Sequence, residues 1–78
     1  MSNDELFDRA RNYGVIEIEQ GCFFYAYLNQ FDRIEVHTGI QIMDARWSGS
    51  GILVKLETGE LRRYYGLSAI SFEVIKYS

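Results

Sequence analysis

Two adjacent arginines, Arg62 and Arg63, stand next to Tyr64, and Lys55 and Trp47 lie a short distance before them. Cationic side chains bind phosphates and aromatic rings stack on bases, so this set fits single-stranded nucleic acid. Arginine, tyrosine and tryptophan also dominate the energetics of protein interfaces. Three interpretations therefore stay open, in this order: residues that only stabilise a hairpin, a protein-binding site, and a nucleic-acid site.

Cys22, His37 and Asp44 supply the residue types of a thiol-based catalytic triad. Nothing in their spacing brings them together, and no P-loop, G-x-S-x-G or H-E-x-x-H motif accompanies them. One cysteine and one histidine also fall short of the four ligands of a structural zinc site. The sequence therefore predicts no catalytic residues, metal or cofactor, and a cysteine-dependent enzyme is the weakest alternative.

Acidic residues cluster within the first twenty positions, where the chain holds Asp4, Glu5, Asp8, Glu17 and Glu19. Two carboxylates on one face can perform acid–base chemistry when a pocket separates their pKa values. In this chain they occupy positions typical of solvated helix and strand residues. An acidic surface of this kind suits docking against a basic partner protein.

The segment from Cys22 to Leu28 is apolar on both faces of a predicted strand. Such a strand is either central in its domain or covered by another element. The rings in this part of the chain are Phe23, Phe24, Tyr25, Tyr27 and Phe31. Most such rings belong to a core, but their excess predicts that some line a partner contact, with Phe24 and Tyr27 as the candidates.

Size and composition favour association with another molecule. A chain of 78 residues with 47% hydrophobic and 15% aromatic residues has more apolar surface than a small core readily hides. Its single cysteine excludes an internal disulfide, so a second copy or another protein is the expected source of added stability. The net charge of −3 argues against indiscriminate binding to nucleic acid or to an anionic membrane. With no recognisable signal peptide or bilayer-spanning run, a cytoplasmic protein is expected.

Residues 3–13 are predicted to form a helix, followed by a β meander over residues 15–77 within a single domain. Ser2 and Glu5 match a capping box, and Gly14 suits the left-handed position that ends a helix. A helix of about three turns is marginal in isolation, so it must pack on the sheet.

The stretch from Gly51 to Gly66 predicts a β-hairpin. A two-residue loop at Thr58-Gly59 opposes Leu56 to Leu61 and collects the apolar side chains on one face. A three-residue loop with Gly59 as a bulge instead opposes Leu56 to Glu60. The alternation of apolar and polar residues favours the shorter loop.

The shorter loop also assigns the two arginines to opposite faces. Arg62 joins the solvated face, within reach of Glu57 or Glu60. Arg63 falls on the apolar face, where it must reach the rim or bond to a specific acid. Asp44 occupies a comparable position on a neighbouring strand, so an Asp44–Arg63 pair is expected.

The same alternation predicts two more hairpins. In the first, Ile18 shares a face with Tyr25. In the second, a three-residue loop with Gly39 as its bulge opposes Ile34 to Ile42.

One helix and about six short strands joined by glycine turns predict an α+β fold. The N-terminal helix packs on a bent antiparallel sheet or a small open SH3-like barrel, for which residues 33–76 supply five strands. Residues 67–70 read as a helical turn or a bend, and residues 71–77 as a final strand. The expected function is a small non-enzymatic protein-interaction module, an accessory subunit or an inhibitor-like binder of the kind that phages also carry. A homodimer is the first expected assembly.

Overall fold

The computed structural model describes residues 3–19, 21–49, 51–66 and 72–76. This part of the chain contains one helix and seven short strands. In chain order they are α1 (Asn3–Tyr13), β1 (Ile16–Ile18), β2 (Phe23–Tyr27), β3 (Arg33–His37), β4 (Ile42–Ser48), β5 (Gly51–Leu56), β6 (Leu61–Tyr64) and β7 (Phe72–Lys76). The predicted α+β class is confirmed, and the described strands form two open antiparallel sheets rather than a closed barrel.

The two sheets share one hydrophobic core. Strands β1, β2 and β3 form the first sheet with β2 in its centre, and β4 to β7 form the second sheet as a meander. Phe24 of the first sheet meets Tyr64 of the second edge to face, with ring centroids 6.1 Å apart. Both side chains have an exposed fraction of 0%, so this contact lies at the centre of the core.

Helix α1 has the predicted extent, Asn3–Tyr13. It ends where Gly14 adopts a φ of 78° and its N–H donates to the Ala10 carbonyl at 2.8 Å. Phe7 and Ala10 are buried, and the Phe7 ring meets Trp47 at a centroid distance of 5.2 Å. The helix therefore packs on the sheets as expected, while Ser2 of the predicted capping box lies outside the described residues.

The hairpin between β5 and β6 has the longer of the two loops considered, so its predicted register is wrong by one residue. The Leu56 N–H donates to the Glu60 carbonyl at 3.0 Å, and the Gly59 N–H donates to the Leu56 carbonyl at 2.9 Å. Gly59 has a φ of 90°, the left-handed conformation that the bulge of a three-residue loop requires. Turn geometry therefore overrides the alternation pattern.

This register turns Arg62 and Tyr64 toward the core instead of toward solvent. Tyr64 pairs with Ile52, and Arg62 pairs with Val54. The alternation pattern predicts that every charged side chain is exposed to solvent. That prediction is wrong for Arg62, because its side chain donates hydrogen bonds to other residues of the chain. Arg63 consequently lies on the outer face of the second sheet rather than on the apolar face.

The hairpin predicted around Gly39 is also wrong, because β3 pairs with β2 and β4 pairs with β5. The connecting segment crosses from the first sheet to the second instead of folding back. The Thr38 N–H donates to the Cys22 carbonyl at 2.6 Å, and the Ile42 N–H donates to the Gly21 carbonyl at 3.2 Å. The residues just before β2 thus supply the partners that a hairpin strand would otherwise have supplied.

The predicted faces of β1 and β2 are wrong as well. Ile18 pairs with Phe24, and Glu17 pairs with Tyr25. Burial explains this register, since it places the apolar side of β1 beside the fully buried Phe24.

The last strand, predicted over residues 71–77, is confirmed at Phe72–Lys76, where it pairs with β6. Residues 67–70, predicted to form a helical turn or a bend, lie outside the described residues. The single-domain organisation stays a prediction.

Candidate functional site

The outer face of the first sheet carries a row of aromatic rings along its central strand. Phe23, Tyr25 and Tyr27 alternate with the buried Phe24 and Ala26, so they point away from the core. All three remain partly exposed. Together with the charged residues around them they form what we term the aromatic face, which comprises Glu17, Glu19, Phe23, Tyr25, Tyr27, Arg33, Glu35 and His37.

The rings of the aromatic face contact one another. Phe23 meets Tyr25 edge to face with centroids 5.7 Å apart, and Phe23 lies 5.1 Å from the His37 ring. Edge-to-face and tilted arrangements are the favourable geometries for such rings. Phe23, Tyr25 and His37 therefore form a continuous surface rather than separate exposed side chains.

A polar chain crosses all three strands beside these rings. The Arg33 guanidinium lies 3.9 Å above the centroid of the Tyr25 ring, and its Nη1 donates to the Tyr27 hydroxyl at 3.5 Å. The Tyr27 hydroxyl donates to Glu17 Oε2 at 3.1 Å. The hydrogen bond to Tyr27 raises the pKa of Arg33 above its ordinary value. These contacts hold the rings in place from both neighbouring strands.

Glu35 and His37 form a hydrogen-bonded pair at the other side of the ring row. His37 Nε2 lies 2.6 Å from Glu35 Oε2. The hydrogen bond from His37 lowers the pKa of Glu35 below its ordinary value. Partial loss of solvent, and then a hydrogen bond to Glu35, raises the pKa of the Tyr25 hydroxyl.

We expect the substitution His37→Ala to raise the pKa of Glu35 toward the ordinary value of 4.5. Because folding lowers this pKa, Glu35 adds stability above the pKa of the unfolded chain. That stability is lost as the pH falls through the lower, folded value. NMR titration of the Glu35 side-chain carboxyl carbon measures the shift, and an unchanged midpoint in His37→Ala contradicts the assigned pair.

Phe31 lies in the loop that joins β2 to β3, with an exposed fraction of 82%. The Asn29 side-chain oxygen accepts hydrogen bonds from the N–H groups of Phe31 and Asp32 at 2.7 and 2.9 Å. This turn is built by its own side chains. It therefore presents a large ring to solvent from a defined backbone.

Three of the residues predicted to bind a partner lie in or against the core. Phe24 and Tyr64 are fully buried, and Trp47 packs against Phe7 of the helix. Within the described ranges, the buried Trp47 Nε1 atom has no hydrogen-bond partner. Phe24 and Tyr64 are therefore inaccessible to a docking molecule, and Trp47 is only partly exposed.

Arg62, another predicted binding residue, is held by contacts within the chain. Its Nε donates to Glu60 Oε2, and its Nη1 donates to the Thr38 carbonyl at 2.8 Å and to the Tyr64 hydroxyl at 3.1 Å. Its guanidinium also lies 4.5 Å from the centroid of the Phe72 ring. Burial lowers the pKa of Arg62, but the hydrogen bonds to Tyr64 and Glu60 outweigh it and raise the pKa overall. Arg62 ties the segment between the two sheets to β6 and β7.

Lys55 and Arg63 share the outer face of the second sheet, opposite the core. Arg63 lies across from Glu73, and Lys55 is exposed. The expected Asp44–Arg63 pair is wrong, because Asp44 accepts hydrogen bonds from Arg46 at 2.6 and 3.0 Å. Of the predicted binding residues, only Tyr27 belongs to the aromatic face.

The residues of the hypothetical thiol triad are engaged elsewhere. His37 bonds to Glu35 on the aromatic face, and Asp44 bonds to Arg46 in the second sheet. Cys22 is half-buried at the start of β2, where its carbonyl accepts the Thr38 hydrogen bonds. Among the described residues, no hydrogen bond therefore links Cys22 to His37 or His37 to Asp44, as a catalytic triad requires.

Three kinds of site or segment are absent from the part of the chain that the structure describes. No group of three or more histidine, cysteine, aspartate or glutamate residues there could hold a metal ion. No cavity is found there either. Among these residues, the helix is too short to span a bilayer.

Sequence reasoning missed most of the aromatic face. Arg33, Glu35 and His37 alternate with Ile34 and Val36, a pattern typical of a strand with one solvated face. Pairing that strand with β2 in the correct register would have placed these charged residues beside the exposed rings. The fold and the site define a small α+β protein with an aromatic outer sheet surface. The chain matches no protein-family model, no curated protein and no solved structure.

Proposed function

We propose that this protein is a small non-enzymatic interaction module, an accessory subunit or inhibitor-like binder, that docks on another protein through the aromatic face. The observation that carries this proposal is the ring row of β2, which remains partly exposed although the opposite side of the same strand is fully buried. Clustered aromatic residues are the usual centres of protein interfaces. In this proposal the buried side of β2 stabilises the fold and the exposed side binds the partner.

The surroundings of the rings have the anatomy of a docking surface. Charged side chains surround the apolar centre, as in interfaces whose polar rim excludes water from the central contacts. Arg33 contacts the Tyr25 ring and donates to the Tyr27 hydroxyl, which itself donates to Glu17, so both rings are held before any partner arrives. Rings fixed in advance lose little conformational entropy on binding, which favours affinity.

Charge favours a different protein over a second copy as the partner. The aromatic face holds the three carboxylates Glu17, Glu19 and Glu35 against the one guanidinium of Arg33, a formal charge of −2 with His37 neutral. A symmetric dimer through this face would place two acidic surfaces against each other, which costs free energy. A homodimer is therefore the second choice for this surface.

The nucleic-acid alternative is weaker because the aromatic face is acidic and because most of the residues predicted to contact nucleic acid are engaged within the chain. Of its stacking rings, Tyr64 is fully buried and Trp47 is partly buried against the core, and Arg62 is bonded within the chain. Lys55 and Arg63 remain, on a face without the buried rings. Phosphate groups would also be repelled by the acidic aromatic face.

The test is site-specific photo-cross-linking in the cell from which the protein comes. A photoreactive phenylalanine analogue replaces Tyr27 on the aromatic face, and a matched variant carries it at Lys55 on the second sheet. We expect an adduct with one defined protein from position 27 and none with that protein from position 55. The cross-linked protein, once purified, should bind the unmodified chain and not the Tyr25→Ser variant.

Three outcomes would overturn the proposal. One is the same set of adducts from both positions, which indicates chance collisions. Another is an adduct from position 27 only with a second copy of the chain, since that makes the surface a dimer interface. The third is full binding of the purified partner by Tyr25→Ser.

A further inference from the structure

We propose that the partner segment seated on the aromatic face is a basic polypeptide stretch whose arginine or lysine side chains lie over the Phe23 and Tyr25 rings. This inference rests on the proposed function and specifies the chemistry of the partner. It concerns a segment of another protein, not a nucleic acid, a membrane or a small ligand.

One of these rings already holds a cation. The Arg33 guanidinium lies 3.9 Å from the centroid of the Tyr25 ring, well within the distance of a cation–π contact. Arg33 is itself exposed, so the contact forms at the surface of the protein. The Tyr25 ring thus already accommodates one guanidinium at this surface, and a partner cation on this ring would take the place of Arg33. Phe23 extends the same surface by one ring.

Carboxylates also surround these rings. Glu17 and Glu35 flank Tyr25 on the two neighbouring strands. Glu19, just after β1, is close enough for its charge to act on the Tyr25 hydroxyl. A guanidinium on the ring row would thus lie among carboxylates that hydrogen-bond to it and complement its charge.

The geometry of a sheet also favours an extended or helical segment with several spaced cations over a single charged group. Tyr25 lies between Phe23 and Tyr27 on one strand, so the rings repeat along its length every second residue. Two or more cations along one partner segment can then each contact a ring or a carboxylate. Avidity of this kind raises affinity without requiring a deep pocket.

The test measures binding of a short synthetic peptide that alternates arginine with glycine and has uncharged termini. The comparison peptide has citrulline at every arginine position, which keeps the shape and removes the charge. NMR chemical-shift changes locate the contact, and titrations at low and physiological salt give the affinities. We expect the arginine peptide alone to bind, with the largest shifts at Phe23, Tyr25 and Glu35.

Variants of the protein separate this site from general attraction to an acidic chain. Tyr25→Leu should weaken binding about fivefold, because it removes one cation–π contact of about 1 kcal/mol. The double variant Glu17→Gln with Glu35→Gln should weaken it by a similar factor. The control Glu57→Gln removes one carboxylate from the exposed β5–β6 loop and should change the affinity by less than about twofold.

Two results would overturn the inference. One is equal binding of the arginine and citrulline peptides, and the other is an effect of Glu57→Gln as large as that of the aromatic-face variants. If either occurs while cross-linking from position 27 still identifies a partner, the proposed function stands and only the basic partner segment is wrong. If cross-linking fails as well, both are wrong.

Discussion

Phe24→Ala is expected to lower the free energy of unfolding by about 3–5 kcal/mol, the usual cost of removing a large ring from a packed core. The Phe24 side chain is fully buried and its ring meets Tyr64 across the two sheets. Small domains are stable by only about 5–15 kcal/mol, so this variant should lose a large part of its folded population. Urea unfolding followed by far-UV circular dichroism measures the change.

The neighbouring residue provides the matched control. Phe23 is the same residue type one position earlier, but it lies on the aromatic face and is partly exposed. Phe23→Ala should cost about 1 kcal/mol or less, since it leaves no core cavity. Equal losses for the two variants would contradict the division of β2 into a folding side and a binding side.

Arg62→Met is expected to lower the free energy of unfolding by about 2–3 kcal/mol. The side chains of Arg62 and Glu60 are only 12% and 16% exposed, so removing the cation leaves a poorly hydrated carboxylate. The Thr38 carbonyl and the Tyr64 hydroxyl lose a donor at the same time. Adding Glu60→Gln to Arg62→Met should recover part of the loss, because the unpaired charge is then gone.

Arg46→Met is the control for this experiment. Arg46 also pairs with an acid two positions earlier on its own strand, but the Arg46 and Asp44 side chains are 70% and 45% exposed. Exposed ion pairs contribute about 1 kcal/mol or less, so this variant should remain close to the parent protein. A loss for Arg62→Met no larger than that for Arg46→Met would show that Arg62 does not tie the two sheets together.

Local sequence signals were sufficient for the elements of this fold. The helix at Asn3–Tyr13 follows from its apolar stripe and from Gly14, and the final strand follows from the alternation after Ser71. The spacing of apolar residues and the residues that end a helix or strand both lie within a few residues of the element that they define. The α+β class follows from the order of these elements.

Strand registers depended on contacts that lie far apart in the sequence. Alternation alone places Arg62 in solvent. It contains no information about the Thr38 carbonyl, which lies between β3 and β4 and accepts a hydrogen bond from Arg62. The same limit applies at Gly39, where backbone partners at Gly21 and Cys22 replace a hairpin. A one-residue error in register exchanges the two faces of a strand.

The candidate site was only partly predictable for this reason. The sequence predicts an excess of rings on β2 and names Tyr27 and Phe24 as partner-binding residues. Tyr27 lies on the outer side of the sheet, whereas Phe24 is buried. Tyr25, Arg33 and Glu35 come together only through the β2–β3 register. The alternating polar residues of β3 therefore indicate an interface only once the pairing of β3 with β2 is known.

The most direct test of the binding role measures folding and binding on one variant, Phe23→Ser with Tyr25→Ser. Its thermal unfolding midpoint is compared with that of the parent protein, and its affinity is measured for the purified partner that cross-linking from position 27 identifies. We predict an unfolding midpoint close to that of the parent protein and binding weakened by at least about a hundredfold, as expected when two central aromatic contacts are removed. Retained affinity, or loss of folding together with binding, would contradict the assignment of the aromatic face as a docking surface.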